Sequence, residues 1–273
     1  MKAPRSLPSF NSVAAGQTAT LDLPVTGTYD TLILTYGTST VGGPTQVNME
    51  AELTEFRLKV NDKVQRRFTA EELFDINYHK GQGLPNDGEV TIHLAEPWRR
   101  SAQGEDVLGW GMGDVNSFQL EVDIASGATS PVLSGKCVRQ KATRPMGPIV
   151  KWRKHSVPVT STGIINVTTL GKKDPYVAMH AKSAVIDDVE IKVGEAEEWK
   201  GTDAESQRLQ ASYGRVPVTG WFHVPFDVSN RVNDTLKIGQ DPANGQPLSF
   251  QIDFNMNTAT PFVLLTETLG LRD

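Results

Sequence analysis

Histidine side chains are the first candidates for chemistry in this sequence, because imidazole acts both as a general base and as a metal ligand. The five histidines are His79, His93, His155, His180 and His223. His93 and His223 occupy equivalent positions in two similar halves of the chain, yet neither belongs to a His-x-His pair. No Glu follows them at the spacing of a double-barrel metal site, which needs two close ligands on one strand. We therefore interpret the histidines as residues of sheets or interfaces and predict no metal centre.

The single cysteine, Cys137, is a weak candidate for a nucleophile. Lys136 and Arg139 lie near it and could lower the pKa of its thiol, but no His or Asn partner can be named. A lone cysteine cannot form an internal disulfide, which fits synthesis in a reducing compartment. We interpret Cys137 as a packing residue of a strand.

A glycine-rich segment, residues 109–113, has the sequence Gly-Trp-Gly-Met-Gly and superficially resembles a phosphate-binding loop. It lacks the Lys followed by Ser or Thr, and no helical pattern comes after it. We predict a loop anchored by Trp110.

Three pairs of adjacent acids complete the chemical inventory: Glu71 and Glu72, Asp187 and Asp188, and Glu197 and Glu198. Adjacent side chains point to opposite faces of a strand and diverge by about 100° on a helix. Such pairs suit solvent or a loosely held structural Ca²⁺ better than general acid–base work. The sequence therefore predicts no catalytic constellation, no enzyme and no cofactor beyond such an ion.

The elements that carry these residues are mostly short strands, and they occur in two matching sets. Three strand segments recur in order, at offsets of 133, about 132 and 130 residues. The pairs are residues 56–62 and 189–195, residues 89–94 and 221–226, and residues 120–124 and 250–254. A helical pattern follows the first strand of each set, over residues 69–79 and 202–213. Matched segments in the same order predict a duplicated β-domain.

Each half holds about eight short strands with turn signals between them and one short helix, which is typical of a jelly-roll sandwich. The fold class predicted is all-β, with two tandem eight-stranded jelly rolls, each flanked by one short helix. Pro145, Gly147 and Pro148 mark the boundary. We predict a first jelly roll with an N-terminal arm over residues 1–143 and a second over residues 144–273.

Composition is that of an ordinary globular protein of 273 residues, 38% hydrophobic and 22% charged. The sequence contains no run of 18 apolar residues, so we predict no transmembrane helix. The basic N-terminus has no apolar segment behind it, so we expect no secretory signal peptide.

The charge distribution is uneven, because no acid occurs between Asp123 and Asp174 while the interval carries nine basic residues in a chain of net charge -5. These are Lys136, Arg139, Lys141, Arg144, Lys151, Arg153, Lys154, Lys172 and Lys173. One interpretation is a solvated connecting strand paired with acids elsewhere. The alternative is a surface that faces phosphate, in lipid headgroups or nucleic acid. Trp152 is the only Phe, Tyr or Trp residue in the interval, which argues against a groove that stacks the bases of single-stranded nucleic acid.

Three N-terminal segments, residues 8–16, 21–24 and 28–30, follow one another in a recognisable order. They resemble the start of the major capsid protein of corticoviruses, tailless icosahedral bacteriophages with a membrane beneath the shell. The resemblance continues in order through residues 58–62, 90–93, 121–124, 189–193, Trp199 and residues 210–214. The loops at residues 38–46 and 98–113 depart from the family pattern.

The resemblance implies a double jelly-roll coat protein in the virion, made in the host cytoplasm and without catalytic residues. In such a family, two upright sandwiches sit side by side and three chains form a pseudo-hexagonal homotrimer. The implied partners are neighbouring trimers, penton or minor capsid proteins and the inner viral membrane. No sequence-specific contact with nucleic acid is expected.

An even number of antiparallel strands returns the chain to the end where it began, so both termini and residues 143–148 should lie at one end of an upright roll. The basic interval surrounds this junction. We expect its cations to face acidic headgroups of the membrane, each contributing about 1 kcal/mol. The membrane-facing residues predicted are Lys2, Arg5, Arg144, Lys151, Arg153 and Lys154.

Two other functions compete with the coat protein. Tandem jelly rolls occur in glycan-processing amidases, which would want close acids, aromatic platforms and, for a secreted enzyme, a signal peptide. A receptor-binding or sugar-binding spike is the other alternative, and it rests on Trp98 and Trp110 being exposed.

Overall fold

The computed structural model describes residues 2–37, 44–99 and 107–273 and divides into two compact units. The first unit comprises Met1–Tyr78, Gln82–Trp152 and Leu271–Asp273. The second comprises His79–Gly81 and Arg153–Gly270. Residues 38–43 and 100–106, which belong to the two loops that depart from the family pattern, lie outside the described part. The predicted domain boundary between residues 143 and 144 stays a prediction.

The first unit contains two sheets. Its described strands are β1 (Ala3–Ser6), β2 (Thr18–Asp22), β3 (Thr28–Gly37), β4 (Leu53–Val60), β5 (Lys63–Phe68), β6 (Glu89–His93), β7 (Trp110–Gly111), β8 (Phe118–Ile124), β9 (Val132–Gln140) and the first residues of β10 (Ile149–Val157). One sheet has the order β1-β9-β3-β6, with β7 beside β3. The other has the order β10-β5-β4-β8-β2 within the unit; β10 pairs with β5 in parallel, and its other described pairs are antiparallel. Helices α1 (Gln46–Glu52) and α2 (Ala70–His79) and a 3-10 turn (Pro97–Arg99) accompany the strands.

The second unit repeats this plan. Its strands after β10 are β11 (Gly163–Val167), β12 (Tyr176–Lys182), β13 (Ile186–Val193), β14 (Ala196–Thr202), β15 (Trp221–Pro225), β16 (Phe250–Met256) and β17 (Phe262–Gly270), with helix α3 at Asp203–Ser212. The strand order β15-β12-β17 repeats β6-β3-β9, and the order β14-β13-β16-β11 repeats β5-β4-β8-β2. The predicted duplication into two jelly rolls is confirmed.

Strand pairing shows that one of the three offsets predicted between the repeats is wrong. Strands β4 and β13 are displaced by 133 residues, as are helices α2 and α3, but β8 and β16 begin at Phe118 and Phe250, 132 residues apart instead of 130. A slip of two residues leaves every side chain of a strand on the same face, so the hydrophobic pattern cannot detect it. Only the pairing of strands fixes it, with Leu120 opposite Leu58 and Ile252 opposite Ile191.

The alternation of apolar and polar side chains along each strand explains why these segments form sandwiches. In β4, Phe56, Leu58 and Val60 are fully buried, while Arg57 and Lys59 between them are half-buried. On that outer face Arg57 donates to Glu121 and Asp123 of β8 at 2.7 Å, so the polar side of the sheet carries cross-strand ion pairs. Period-two patterning therefore places one face on the core and the other towards solvent.

Both longer helices begin with a capping box. Thr202 Oγ1 accepts from the Glu205 backbone N–H at 3.3 Å, and Glu205 accepts from the Thr202 N–H at 2.8 Å. Thr69 and Glu72 exchange the same two bonds, at 3.2 and 2.8 Å. Two otherwise unpaired backbone donors are thereby satisfied at each helix start.

Helix α1 was not predicted, so the first roll carries two short α-helices in its described part. It has seven residues, begins at the N-cap Thr45 and buries only Met49. A helix of two turns with one buried residue shows no amphipathic period that a sequence pattern can reveal.

Replacing Gly27 by Ala should destabilise the first unit. Gly27 has φ +79°, and a Cβ there would lie 2.5 Å from the carbonyl oxygen of Gln140. We expect the free energy of unfolding to fall by at least about 2 kcal/mol in urea titrations. Gly37→Ala is the matched control, since no atom lies within 4 Å of a Cβ there. Equal losses in the two variants would contradict the structural explanation.

Candidate functional site

Three of the five histidines come together inside the second unit. His79 ends helix α2, His180 lies on β12 and His223 lies on β15, directly opposite His180 in the strand register. All three are buried. We call this group the imidazole cluster. The sequence pattern predicted histidines in sheets or interfaces but not their meeting, since the cluster joins residues that are far apart in the chain.

A buried ion pair adjoins the imidazole cluster. The Lys80 ammonium lies 2.6 Å from the Glu267 carboxylate, and Glu267 is also 3.4 Å from Nε2 of His180. Burial alone would raise the pKa of Glu267, but the positive Lys80 and the bond with His180 hold it below its usual range. The carboxylate is therefore ionised and Lys80 compensates its charge.

The cluster is poorly shaped for a metal ion. One ring nitrogen from each histidine lies within 4.8 Å of the others. However, the His79 and His223 rings are stacked, with centroids 4.0 Å apart and an angle of 23° between their planes. A metal lies near the plane of each imidazole that ligates it, and two nearly parallel planes do not converge on one nearby point. These two rings thus cannot share an ion as they are arranged.

The other candidates for chemistry have structural partners. Cys137 is buried on β9, and this burial raises the pKa of its thiol, which disfavours the reactive thiolate. Asp187 and Asp188 accept from two different residues, Asn257 and Asn255, each at 2.7 Å. Neighbouring carboxylates therefore diverge, as the strand pattern predicted.

In each of the other two acid pairs, one carboxylate has a structural partner of its own. Glu72 is buried and caps helix α2, whereas Glu197 lies 3.9 Å from Lys200 on the outer side of the second unit.

The predicted basic residues of the first unit lie near its junction segment and both chain termini. Strand β1 pairs with β9, with Arg5 opposite Cys137, so the exposed Lys2 and Arg5 lie beside the end of β9 that leads into the junction. Lys2 Nζ is 3.8 Å from Asp30, to which Gln140 also donates.

The junction itself is tied to the C-terminal residues. Arg144 donates to the carbonyl oxygens of Val107 and Gly109 at 3.0 and 2.8 Å. Asp114 accepts from the Met146 backbone N–H at 2.7 Å and also pairs with Arg272. Arg272 holds the pKa of Asp114 below its usual value, with the Met146 N–H as a second cause.

The remaining predicted cations differ in exposure. Lys151 is buried, and its ammonium donates to Leu271 O and to Asp273 at 3.0 Å each. Arg153 and Lys154 belong to the second unit and are half-buried on β10. The six residues thus form a first-unit group and a second-unit group, and Lys151 has a structural partner in the C-terminal tail.

The support for a spike protein fails in the structure. Trp98 is 8% exposed and Trp110 is 0% exposed, so the expectation that both are surface aromatics is wrong. Trp110 packs on Phe118 with ring centroids 5.5 Å apart, and glycines beside it permit close backbone contacts. Glycine-flanked tryptophans can serve as core anchors as well as surface anchors, and only packing distinguishes the two.

Within the described part of the chain, no helix is both long and apolar enough to cross a membrane.

Two family models match the chain, each over one of its halves. The viral coat protein P2 N-terminal domain matches residues 4–139, and the viral coat protein P2 C-terminal domain matches residues 149–271. The chain belongs to the viral coat protein P2 family. The resemblance found in the sequence is confirmed, and so is the prediction of a major capsid protein, which locates the protein in the capsid shell of a virion.

Individual relatives agree with this assignment over nearly their whole length. The major capsid protein P2 of Pseudoalteromonas phage PM2 is 23% identical over 269 residues, covering 95% of this chain and 94% of that protein. Its crystal structure superposes with a TM-score of 0.87 at 18% identity, covering 100% and 98% of the two chains. The crystal structure of the STIV MCP gives a TM-score of 0.70 at 14% identity, covering 99% and 97%.

These structural matches confirm the double jelly-roll fold of the P2 family member. The amidase and spike alternatives receive no support from the comparisons.

Replacing Lys80 by Met should strongly destabilise the second unit, because Glu267 would remain buried without its cation. We expect the free energy of unfolding at pH 7 to fall by about 3 to 5 kcal/mol in urea titrations. The double variant K80M/E267L removes both charges and should regain most of the loss.

Lys173→Met provides the matched control, since Lys173 is an exposed lysine of the same unit. Its effect should stay within about 0.5 kcal/mol. A loss in K80M no greater than in K173M would show that the ion pair contributes nothing to folding.

Proposed function

We propose that this P2 family protein is the shell-forming subunit of an icosahedral virion, assembled as homotrimers that contact neighbouring trimers and penton or minor capsid proteins. The observation that carries the proposal is the match of both halves to P2 coat domains, together with their identical strand order. Three chains with two similar rolls each supply six similar units, which suits a hexagonal lattice. The role is structural rather than catalytic.

We also propose that the basic residues near the junction face the acidic headgroups of a membrane beneath the shell. In the first unit, strand pairing brings Lys2 and Arg5 close to the segment that contains Arg144. In the second unit, Arg153 and Lys154 continue the basic run along β10. Each cation close to an anionic surface contributes about 1 kcal/mol of attraction, which salt screens.

Lys151 has a different part in this proposal. Its ammonium is buried against the C-terminal tail, so it serves the surface by holding Asp273 and the residues before it in place. Direct contact with headgroups falls to the exposed Lys2 and Arg5 and to the half-buried cations.

Light scattering tests the oligomer. The purified protein should have a mass of about three times 29.8 kDa at low and moderate salt, with no lower-mass population on dilution. A monomer at every concentration would contradict the trimer, whereas the coat-protein family would still stand on the sequence.

Vesicle sedimentation tests the membrane surface. The trimer should bind vesicles that contain phosphatidylserine and release them as salt rises, because the attraction is electrostatic. The variant K2A/R5A/K154A should bind them at least about a hundredfold more weakly, from the loss of about 3 kcal/mol.

A charge-matched control separates local from overall charge. K63A/R208A/K237A removes three exposed cations elsewhere and lowers the net charge equally. Equal weakening in both variants, or equal binding to neutral phosphatidylcholine vesicles, would overturn the assigned surface.

A further inference from the structure

The imidazole cluster is closely packed and shielded from solvent. His180 and His223 are opposite residues of paired strands, and their ring centroids lie 4.9 Å apart. His79 stacks on His223 and meets His180 edge-on, with centroids 5.7 Å apart. Trp221 lies parallel to His223 at 5.8 Å. Exposed fractions of 0%, 0% and 2% for His79, His180 and His223 leave no direct route for water to solvate a new charge.

The hydrogen bonds of the cluster require that at least one of His180 and His223 is neutral. Nδ1 of His180 and Nδ1 of His223 are 2.8 Å apart, so one nitrogen donates and the other must carry a lone pair. Nδ1 of His79 lies 3.0 Å from the carbonyl oxygen of Val216, to which it can only donate. An imidazolium has a proton on both nitrogens. Once His180 and His223 are both charged, two N–H groups point at each other across this contact.

The charged groups around the cluster already neutralise one another. Lys80, after helix α2, pairs with Glu267 of β17 at 2.6 Å. Arg215 pairs with Asp227 at 3.1 Å. Glu267 also faces Nε2 of His180 at 3.4 Å, but Lys80 already engages both oxygens of that carboxylate. An added proton on the cluster therefore meets two cations, and the counter-ions of both are already engaged.

Neutral side chains of helix α3 also lie beside the cluster. From α3, Ser206 and Gln210 donate to the backbone carbonyl oxygen of His223, at 2.7 and 2.9 Å. These groups hold β15 in place and offer no negative charge to a protonated ring.

We propose that the imidazole cluster is an acid-sensitive lock of the second unit, which keeps the segment His79–Gly81, β12 and β15 together at neutral pH and releases them as the solution becomes acidic.

The direction of the pKa changes agrees with this geometry. Burial is the main cause that lowers the pKa of His79, His180 and His223, and nearby Lys80 and Arg215 lower it further. Glu267 beside His180 and the carbonyl oxygen of Val216 beside His79 act in the opposite direction, but each pKa remains below its usual value. Above about pH 6.5 the rings are neutral in the folded and unfolded chain alike, so their titration does not change the free energy of unfolding. Below about pH 6.5 the unfolded chain binds protons that the folded unit does not bind, so the free energy of unfolding falls as the pH falls.

The expected sensitivity is steep. Each histidine that stays neutral only when folded multiplies the unfolding equilibrium constant by about ten per pH unit below its unfolded pKa. Three such residues give a limit of about a thousandfold per pH unit.

Hydrogen exchange of the wild-type trimer between pH 7.5 and 5 provides the test, after correction for intrinsic exchange rates. Peptides from β12, β15 and β17 should lose at least a hundredfold protection, and peptides from β4 and β8 of the first unit should change far less. H223Q should reduce the pH dependence of the second unit by up to tenfold per pH unit. His93→Gln, on β6 of the first unit, is the control and should leave that dependence unchanged.

Histidine side-chain NMR of the wild-type protein keeps the test independent of whether H223Q folds. The proposal predicts three rings that remain neutral in folded protein at pH 5.5. Three rings that titrate near pH 6.5 without loss of protection, or equal opening of both units, would overturn it.

Discussion

The structure depends on burial of alternate apolar side chains between the sheets of each unit. Phe56 and Leu58 of β4 and Leu120 of β8 are completely buried in the first unit, as are Val189, Ile191 and Ile252 in the second. Each such side chain contributes about 1.5 to 3 kcal/mol when it leaves water. Because strands of five to ten residues have little stability alone, the order of strands and the position of the helices follow from completing this burial twice.

The imidazole cluster is one exception to this apolar interior. Imidazole rings, an ammonium and a carboxylate occupy a region of the second unit in which each needs a specific partner. Lys80 and Glu267 satisfy one another, and the carbonyl oxygen of Val216 orients His79. Such a network is costly when incomplete, so this part of the unit is sensitive to substitution and to protonation in a way that its apolar core is not.

Function in a coat protein lies on surfaces that repeat from copy to copy, which changes what counts as a site. The residues best suited to chemistry have structural roles here: Cys137 is packed in a strand, and Glu72 caps a helix. The predicted basic residues instead divide between the two units, with Arg153 and Lys154 in the second and the other four in the first. Lys151 shows that charge in the sequence is not the same as charge on the surface, since its ammonium is buried against the C-terminal tail.

The sequence by itself determined the all-β class, the duplication and the family, because these depend on local alternation, turn residues and the order of segments along the chain. The helical pattern over residues 202–213 is local in the same way, and helix α3 forms there behind the capping box at Thr202. The two-residue error in the offset of β8 and β16, the burial of Trp98 and Trp110, and the meeting of His79 with His180 and His223 were decided by tertiary structure. Each of these depends on pairing or packing between residues far apart in the chain, and a period-two pattern is unchanged by a slip of two and silent about which distant side chains will touch.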